Sequence, residues 1–341
     1  MDYLGHNAGA LILMLSIAGL FAFIGMRFGV QMLVRRLAGL FFVVLGVTFI
    51  TFIMGYFAPG DVVMEQLGLH YTPAAAATLR HYYGLDLPWY EQYGRFLVQL
   101  LHFDLGTSFI TRNQTVWQIL SRGVPISAEL GISSLFLTFI MGVPLGLVAA
   151  VFANSRLDTT IQSISLVLYA LPNFVIIFAF DIVMILLAQN ALPHLPVAGW
   201  DLTQPETLVG PIVINALGGF AFFTRLTRTS MLEILREDYI RAARAKGMSE
   251  RTVIVRHAFR NALLPLITVL GPSVAFVVNG AFVTELFFNI PGIGFETVQS
   301  IEARDWPVLQ GTVIILALAV VIMNMISDVC YGLADPRIKV I

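Results

Sequence analysis

The sequence carries little charge for its length. Of its 341 residues only 12% are charged, whereas 57% are hydrophobic and the mean hydropathy is +0.82. An ordinary soluble domain has about 25% charged residues. Windows of about 19 residues are apolar on every face, which a bilayer explains and a soluble core, with one apolar face per helix, does not. The shortage of charge therefore excludes a soluble protein and predicts an all-α integral membrane protein.

Lysine, cysteine and clustered histidine are also scarce. The two lysines, Lys246 and Lys339, do not follow a glycine, so the chain lacks the Gly-Lys-Ser/Thr core of a P-loop ATPase. The six histidines are scattered and form no His-Glu-x-x-His motif, which argues against an intramembrane metalloprotease. The single cysteine, Cys330, excludes an intrachain disulfide and receives no role. The chain is predicted to have no catalytic residue, no metal and no bound cofactor.

Seven apolar segments have the length of a transmembrane helix, which needs about 20 residues. The fifth is the weakest, because Arg225 cuts it short. The predicted spans are residues 8–26, 37–57, 128–152, 161–187, 209–224, 265–283 and 311–331.

The basic residues predict how these spans are oriented. Fifteen of the twenty Lys and Arg residues lie on one side of the arrangement, and nine of them stand between Thr224 and Pro265. The positive-inside rule makes that side cytoplasmic, which leaves the N-terminus outside and the C-terminus inside. The first apolar segment has no positive charge before it, unlike a secretory signal, and is interpreted as an extra membrane helix.

One membrane domain with an outer cap is the predicted organisation. Pro59-Gly60-Asp61 is a turn signature, and Thr72-Pro73 is typical of a helix start with Thr72 as the N-cap. The predicted parts are an extra helix (1–30), a first core helix (31–57), an extracytoplasmic subdomain (58–127) and a core transmembrane region (128–341) with a cytoplasmic loop (233–265).

The charged cytoplasmic loop has its own internal pattern. Acidic Glu237 precedes the basic residues, which suits a helix dipole and an i,i+4 pair with Arg241. Gly247 is predicted to end this helix in a left-handed conformation, and Ser249 to cap the next one. A lipid-bound helix would need bulky apolar residues opposite its arginines. The small residues here, Ala242, Ala243 and Ala245, favour close packing into a protein groove instead.

Arg241-Ala-Ala-x-x-x-Gly247, followed by Leu264-Pro265, resembles the EAA loop of ABC-importer permeases. The wider string from Glu237 to Met248 resembles the dipeptide/oligopeptide/nickel group, in particular its B-type membrane subunit. Arg241 stands where the loop's naming glutamate would be, as is common in this group. Further pieces in the same order are Ala58-Pro-Gly-Asp61, Tyr83-Gly-Leu-Asp86, Gly106-Thr-Ser108, Gly142-Val-Pro-Leu-Gly146, Thr284-Glu-Leu-Phe287, Pro291-Gly-Ile-Gly294 and Asp335-Pro-Arg-Ile338.

This resemblance implies a type I permease with six core helices and a set of partners. These are a second homologous permease, two ATP-binding subunits that hold ATP and Mg, and an extracytoplasmic substrate-binding protein. Membrane lipid surrounds the chain, and no nucleic acid is expected. The implied ATPase-docking residues are Glu237, Asp238, Arg241, Ala242, Ala243, Arg244, Lys246 and Gly247.

Polar residues within the predicted spans, or just beyond the end of one, are candidates for a translocation path. A charge at the bilayer centre costs at least ~2.5–3.5 kcal/mol, so the presence of Asp181 within a predicted span needs an explanation. The favoured explanation is that its carboxyl group is hydrogen-bonded inside the helix bundle. Two other classes stay open: an ion-coupled secondary carrier that uses Asp181, and a membrane assembly factor without a path. The substrate stays open among peptides, nickel chelates, glutathione and sugar oligomers. The predicted path residues are Asn173, Asp181, Asn279 and Glu285.

Overall fold

The computed structural model describes residues 19, 30–111 and 114–334. These residues are helical apart from loops, and the one extended pairing among them is an isolated bridge between Thr107 and Thr115. The predicted all-α fold is thus confirmed. The chain divides into two compact units, Met1–Ile126 with Pro291–Val321, and Ser127–Ile290 with Ile322–Ile341. The predicted division at residues 30, 57 and 127 stays a prediction.

The helices of the described residues follow one another with short connections. In chain order they are α1 (Val30–Phe57), α2 (Val62–Leu67), α3 (Pro73–Tyr83), α4 (Trp89–Leu101), α5 (Val116–Val151), α6 (Arg156–Ala170), α7 (Asn173–Gln189), α8 (Glu206–Ile234), α9 (Asp238–Ala245), α10 (Glu250–Thr252), α11 (Arg260–Phe287), α12 (Ile293–Glu302) and α13 (Trp306–Ala334). A π-helical segment, Val253–Phe259, joins α10 to α11.

Long apolar stretches fill four of these helices, in agreement with four predicted spans. The stretches are Val34–Phe57, Val116–Val151, Glu206–Ile234 and Trp306–Ile326, and each has the length and composition to cross a membrane. The predicted span 8–26 lies outside the described residues. The predicted span 265–283 lies within the 28-residue helix α11.

The predicted fourth span, residues 161–187, is wrong as a single straight helix. The structure divides it into α6 and α7, whose axes differ by 100°. Leu171 has extended backbone angles (φ −80°, ψ 125°) and so does Pro172 (φ −60°, ψ 141°). Proline has no N–H to donate and excludes helical geometry from the residue before it. The sequence Leu171-Pro172 therefore breaks the helix within the apolar run.

The predicted fifth span, residues 209–224, lies within α8, and the helix continues through Arg225 to Ile234. Two arginines are held within this helix by neighbours on α6. The guanidinium of Arg225 lies 5.5 Å from the ring centroid of Tyr169, and Arg228 forms an ion pair with Asp158. An arginine with such partners keeps its helical position even next to an apolar region.

Helices α2 and α3 of the first unit form a small packed group over Val62, Val63 and Ala76. As predicted, Thr72 caps α3, and its Oγ1 accepts a hydrogen bond of 3.2 Å from the Ala75 N–H. Asp61 caps α2 through the Val63 N–H (2.9 Å) and also pairs with Arg80. Partial burial raises the pKa of Asp61, but the hydrogen bonds from Arg80 and Val63 outweigh it and hold the pKa below its ordinary value.

The second unit is built around α8, which packs on α5, α6 and α11. A Cβ at Gly146 of α5 would lie 2.4 Å from the Thr224 carbonyl oxygen of α8, so only glycine permits this approach. The neighbouring Gly142 faces Phe223 in the same way, at 3.0 Å. The motif Gly142-Val-Pro-Leu-Gly146 is therefore a close helix–helix contact, and it fixes α8, the helix that leads into the charged loop.

Candidate functional site

Helix α9 is an eight-residue amphipathic helix directly after α8. Its inner face consists of Ile240 (0% exposed) and Ala243 (7% exposed), which pack into an apolar cluster of the second unit. The other buried members of this cluster are Ala150 of α5, Met231 of α8, Val253 and Ala258 of the π-helical segment and Ala262 of α11. The helix is thus attached to three spanning helices by its own side chains.

The predicted role of Ala243 is corrected by this packing. The sequence placed Ala243 on the face that meets an ATPase, four residues before Gly247. In the structure Ala243 points into the core of its own chain, whereas Ala242 and Ala245 are exposed. Since α9 follows α8 after a short turn, its apolar positions 240 and 243 face back toward α8. The exposed face carries Asp238, Arg241, Ala242, Ala245 and Met248.

The charges of α9 pair differently from the predicted pattern. Arg241 donates to Asp238, one turn earlier, and not to Glu237. Arg244 reaches across the following turn and donates two hydrogen bonds, of 2.8 and 3.2 Å, to the Glu250 carboxylate. These side chains are all well exposed, so each pair contributes less than about 1 kcal/mol. Glu237 and Lys246 are exposed as well.

Gly247 ends α9 as the sequence predicts. Its φ of +77° is in the left-handed region, and its N–H bonds the Arg244 carbonyl oxygen at 2.9 Å. A Cβ at this position would meet nothing within 4 Å in this chain. Ser249 stands at the N-cap of α10, but its hydroxyl contacts Thr252 Oγ1 (2.9 Å) and no backbone N–H, so the predicted side-chain cap is wrong.

The π-helical segment Val253–Phe259 is a feature that sequence reasoning missed. Such widened turns insert one extra residue into a helix and occur often at functional sites. After it, Asn261 Nδ2 donates to the Tyr239 hydroxyl of α9 at 2.7 Å. None of the sequence patterns described above indicates this change in the type of helix.

A buried ion pair next to this site was missed as well. Arg228 of α8 donates through Nε and Nη2 to the two carboxylate oxygens of Asp158, both at 2.7 Å. The Asp158 side chain is 4% exposed and also accepts the Asn154 N–H at 2.9 Å. Bidentate pairs of this kind fix orientation as well as distance. The pair connects the first turn of α6 to the C-terminal part of α8, the helix that precedes α9.

The four predicted path residues lie in different surroundings, and none of the hydrogen bonds described here joins one to another. Asn173 is the first residue of α7, directly after the break. Within the described residues, the buried Oδ1 of Asp181 has no hydrogen-bond partner, which contradicts the expected bond inside the bundle. Glu285 is 1% exposed and accepts a 2.6 Å hydrogen bond from Ser127. Asn279 lies in α11, and its side chain is outside the described residues.

The chain has several long apolar helices, and one further apolar run is broken into two helices, as is typical of a multi-pass membrane protein. The short helix α9 packs against these helices by its buried face and leaves the other face exposed, as a membrane transport subunit with a soluble partner requires. Residues 142–340 match the family described as binding-protein-dependent transport system inner membrane component, and residues 29–131 match the N-terminal part of such components. The chain belongs to this family and is the permease subunit of an ABC importer. The ion-coupled carrier and the assembly factor are thereby set aside, and a permease implies no ATPase activity of its own.

Curated relatives align over nearly the whole chain. The chain is 39% identical over 309 residues to the dipeptide transport system permease protein DppB of Bacillus subtilis (strain 168), which covers 90% of this chain and 97% of the relative. It is 33% identical over 339 residues to DppB of Escherichia coli (strain K12), with 91% and 98% covered. A putative peptide transport system permease protein of Brucella abortus (strain 2308) is 36% identical over 314 residues, with 90% and 98% covered.

Among solved structures, an inward-facing conformation of the MetNI methionine ABC transporter has the same fold. One of its chains aligns with a TM-score of 0.55 at 19% identity, covering 64% of this chain and 97% of that chain. At this identity the likeness concerns the fold alone.

Proposed function

We propose that this chain conducts peptides through the membrane as the permease of a binding-protein-dependent importer. The observation that carries the proposal is the group of relatives named for dipeptide or peptide transport, at 33–39% identity over about nine-tenths of the chain. The same scaffold serves other solutes, so the choice of peptide over nickel chelate, glutathione or sugar oligomer rests on those relatives.

The proposed assembly contains three kinds of partner subunit. A second homologous permease completes the pathway, and two ATP-binding subunits hold ATP and Mg and perform the hydrolysis. An extracytoplasmic binding protein delivers the peptide. The permease alternates between two access states, and ATP binding and hydrolysis bias that equilibrium. In this arrangement the N-terminus is outside and the C-terminus is cytoplasmic.

Helix α9 is the proposed docking element for one ATP-binding subunit. Its exposed face offers two small residues, Ala242 and Ala245, beside Met248 and the Asp238–Arg241 pair. A narrow apolar strip between charges fits a groove in a soluble subunit. Its buried face supports the proposal too, because Ile240 and Ala243 attach the helix to the spanning helices.

Reconstituted uptake tests both parts of the proposal. The chain is co-expressed with the second permease and the ATP-binding subunits and placed in proteoliposomes with the binding protein, and ATP-dependent uptake of radiolabelled dialanine is measured. Nickel–histidine, glutathione and a maltooligosaccharide serve as competitors. We expect uptake of the dipeptide only, and no ATP hydrolysis by the permease alone. Uptake of a competitor in place of dialanine would refute the peptide assignment and leave the family membership intact.

A further inference from the structure

A cleft of about 650 Å³ lies within the first unit. It is enclosed by the C-terminal part of α1, by α3 and α4, by residues 105–109 and by the first turn of α13. This volume is in the range of clefts that hold a small molecule of some 20 to 40 heavy atoms, roughly 300–1,000 Å³. The cleft shares no residue with α9 or with the predicted path residues.

Two polar side chains of the cleft wall are available as hydrogen-bond donors. Gln310 of α13 is 7% exposed, and within the described residues its amide makes no hydrogen bond. Arg95 of α4 is exposed and lies close enough to Asp86 to add to the His81 hydrogen bond in lowering the pKa of that carboxyl, but within the described residues it forms no direct ion pair. Both groups line the cleft with N–H donors that no acceptor of the described chain uses, so together they can bind a ligand with acceptor oxygens.

The charge of the wall selects an anion. Among the described lining residues the charged groups are Arg80, Arg95 and Asp61. Asp61 is already engaged by Arg80, so one positive charge remains. A peptide zwitterion would need a second carboxylate for its ammonium group, and the described wall has none to offer.

Much of the remaining wall is aromatic, and it lies beside α1, whose apolar surface is mostly exposed in this chain. Phe52 and Tyr56 of α1, Tyr83 and Phe96 contribute rings, and Trp306 closes one end. The apolar stretch of α1 is only 6% buried in this chain. Aromatic side chains concentrate at the level of the lipid headgroups. The cleft therefore combines a headgroup-level position with an apolar surface that can receive an acyl chain.

We propose that this cleft binds one anionic phospholipid from the leaflet at the C-terminal end of α1. The phosphate lies against the Arg95 guanidinium, the Gln310 amide donates to a phosphate or glycerol oxygen, and an acyl chain follows the exposed face of α1. The bound lipid thus contacts α1, α4 and α13 at the same time.

Native mass spectrometry on the full-length chain, purified with its co-expressed partner subunits, tests this proposal. The complex is stripped of lipid in detergent and titrated with dioleoyl phosphatidylglycerol or dioleoyl phosphatidylcholine. We expect one tightly bound phosphatidylglycerol per chain. Arg95→Gln should weaken its binding about tenfold, the size expected for one charge-assisted contact. Arg95→Lys should keep most of the affinity, Gln310→Leu should lose part of it, and the exposed Arg122→Gln, outside the cleft, should match the wild type.

Several outcomes would overturn the proposal. Equal binding of phosphatidylcholine, or unchanged affinity in Arg95→Gln, would show that Arg95 selects no anion. Displacement of the lipid by inorganic phosphate would assign the cleft to a free anion, and displacement by dialanine would assign it to a peptide. Size-exclusion profiles and melting temperatures of all variants ensure that any loss comes from the site and not from unfolding.

Discussion

At the scale of single residues, Ala242 and Ala243 stand side by side and face opposite directions. Ala243→Asp would place an unpaired carboxylate among Met231, Ile240 and Val253, at a cost of more than about 3 kcal/mol. We expect the amount of membrane-inserted protein to fall severalfold by immunoblot. Ala242→Asp should accumulate normally, yet lose co-purifying ATP-binding subunit. Equal accumulation of both variants would contradict the buried position of Ala243.

The Asp158–Arg228 pair gives a second prediction at this scale. Removal of one partner leaves a buried charge alone, which costs about 3–5 kcal/mol. Asp158→Asn and Arg228→Gln should each lower the melting temperature of the solubilised complex clearly. The double variant should lose less than the sum of the two, because neither charge remains. Additive losses would mean that the two side chains do not interact, despite their two 2.7 Å hydrogen bonds.

At the scale of elements, the end of α9 depends on backbone geometry. Gly247 has a φ of +77°, and a Cβ there meets no atom of this chain within 4 Å. Val disfavours this conformation by about 1–2 kcal/mol, whereas Asn adopts it more readily. Gly247→Val should therefore reduce ATPase co-purification and uptake severalfold, and Gly247→Asn should retain most of both. Equal losses would show that a partner excludes the side chain itself.

The break between α6 and α7 gives a prediction about shape. Pro172→Ala restores an N–H donor and frees Leu171 to become helical. We expect the 100° bend to open toward a straight helix and uptake to fall, while insertion continues. Spin labels at positions 164 and 182 report the bend through their separation, which is measured by double electron–electron resonance. Leu166→Ala serves as the control variant. An unchanged label distance would mean that packing against α8, and not Pro172, sets the bend.

Local chemistry accounts for the elements that the sequence predicted well. Thr72-Pro73 begins α3, and Gly247 ends α9, because capping and left-handed geometry depend on one or two neighbouring residues. The face of α9 could not be predicted, since an eight-residue helix with alanines on two sides is oriented by the helix before it. The choice of Asp238 over Glu237 as the partner of Arg241 depends on side-chain rotamers.

At the scale of the whole molecule, hydropathy and charge predicted most of the spans but not their continuity. Leu171-Pro172 lies inside an apolar run, and a hydropathy window averages over the break. The pairing of Asp158 with Arg228 joins residues 70 positions apart, which a single sequence cannot reveal. For the same reason the cleft wall, assembled from α1, α3, α4 and α13, has no local sequence pattern.

The distribution of Lys and Arg predicts the orientation of the chain. Cys330 is first replaced by serine, and single cysteines are then introduced at Asn7 and at Val340. On intact cells an impermeant maleimide should label position 7 and leave position 340 unlabelled until the membrane is opened. Labelling of both sites at equal rates would refute an outside N-terminus with a cytoplasmic C-terminus.

The packing of α9 also has a mechanical consequence. Ile240 and Ala243 share one close-packed cluster with residues of α5, α8 and α11, and such interiors resist compression. Because the packing is close, any displacement of α9 toward the cluster also displaces Met231 and Ala262. In the proposed assembly, α9 is a rigid connection between an ATP-binding subunit and the long helices, and not a flexible tether. A rigid connection transmits a small displacement of the ATP-binding subunit almost completely. Substitutions that loosen this packing should therefore reduce the transmitted displacement strongly.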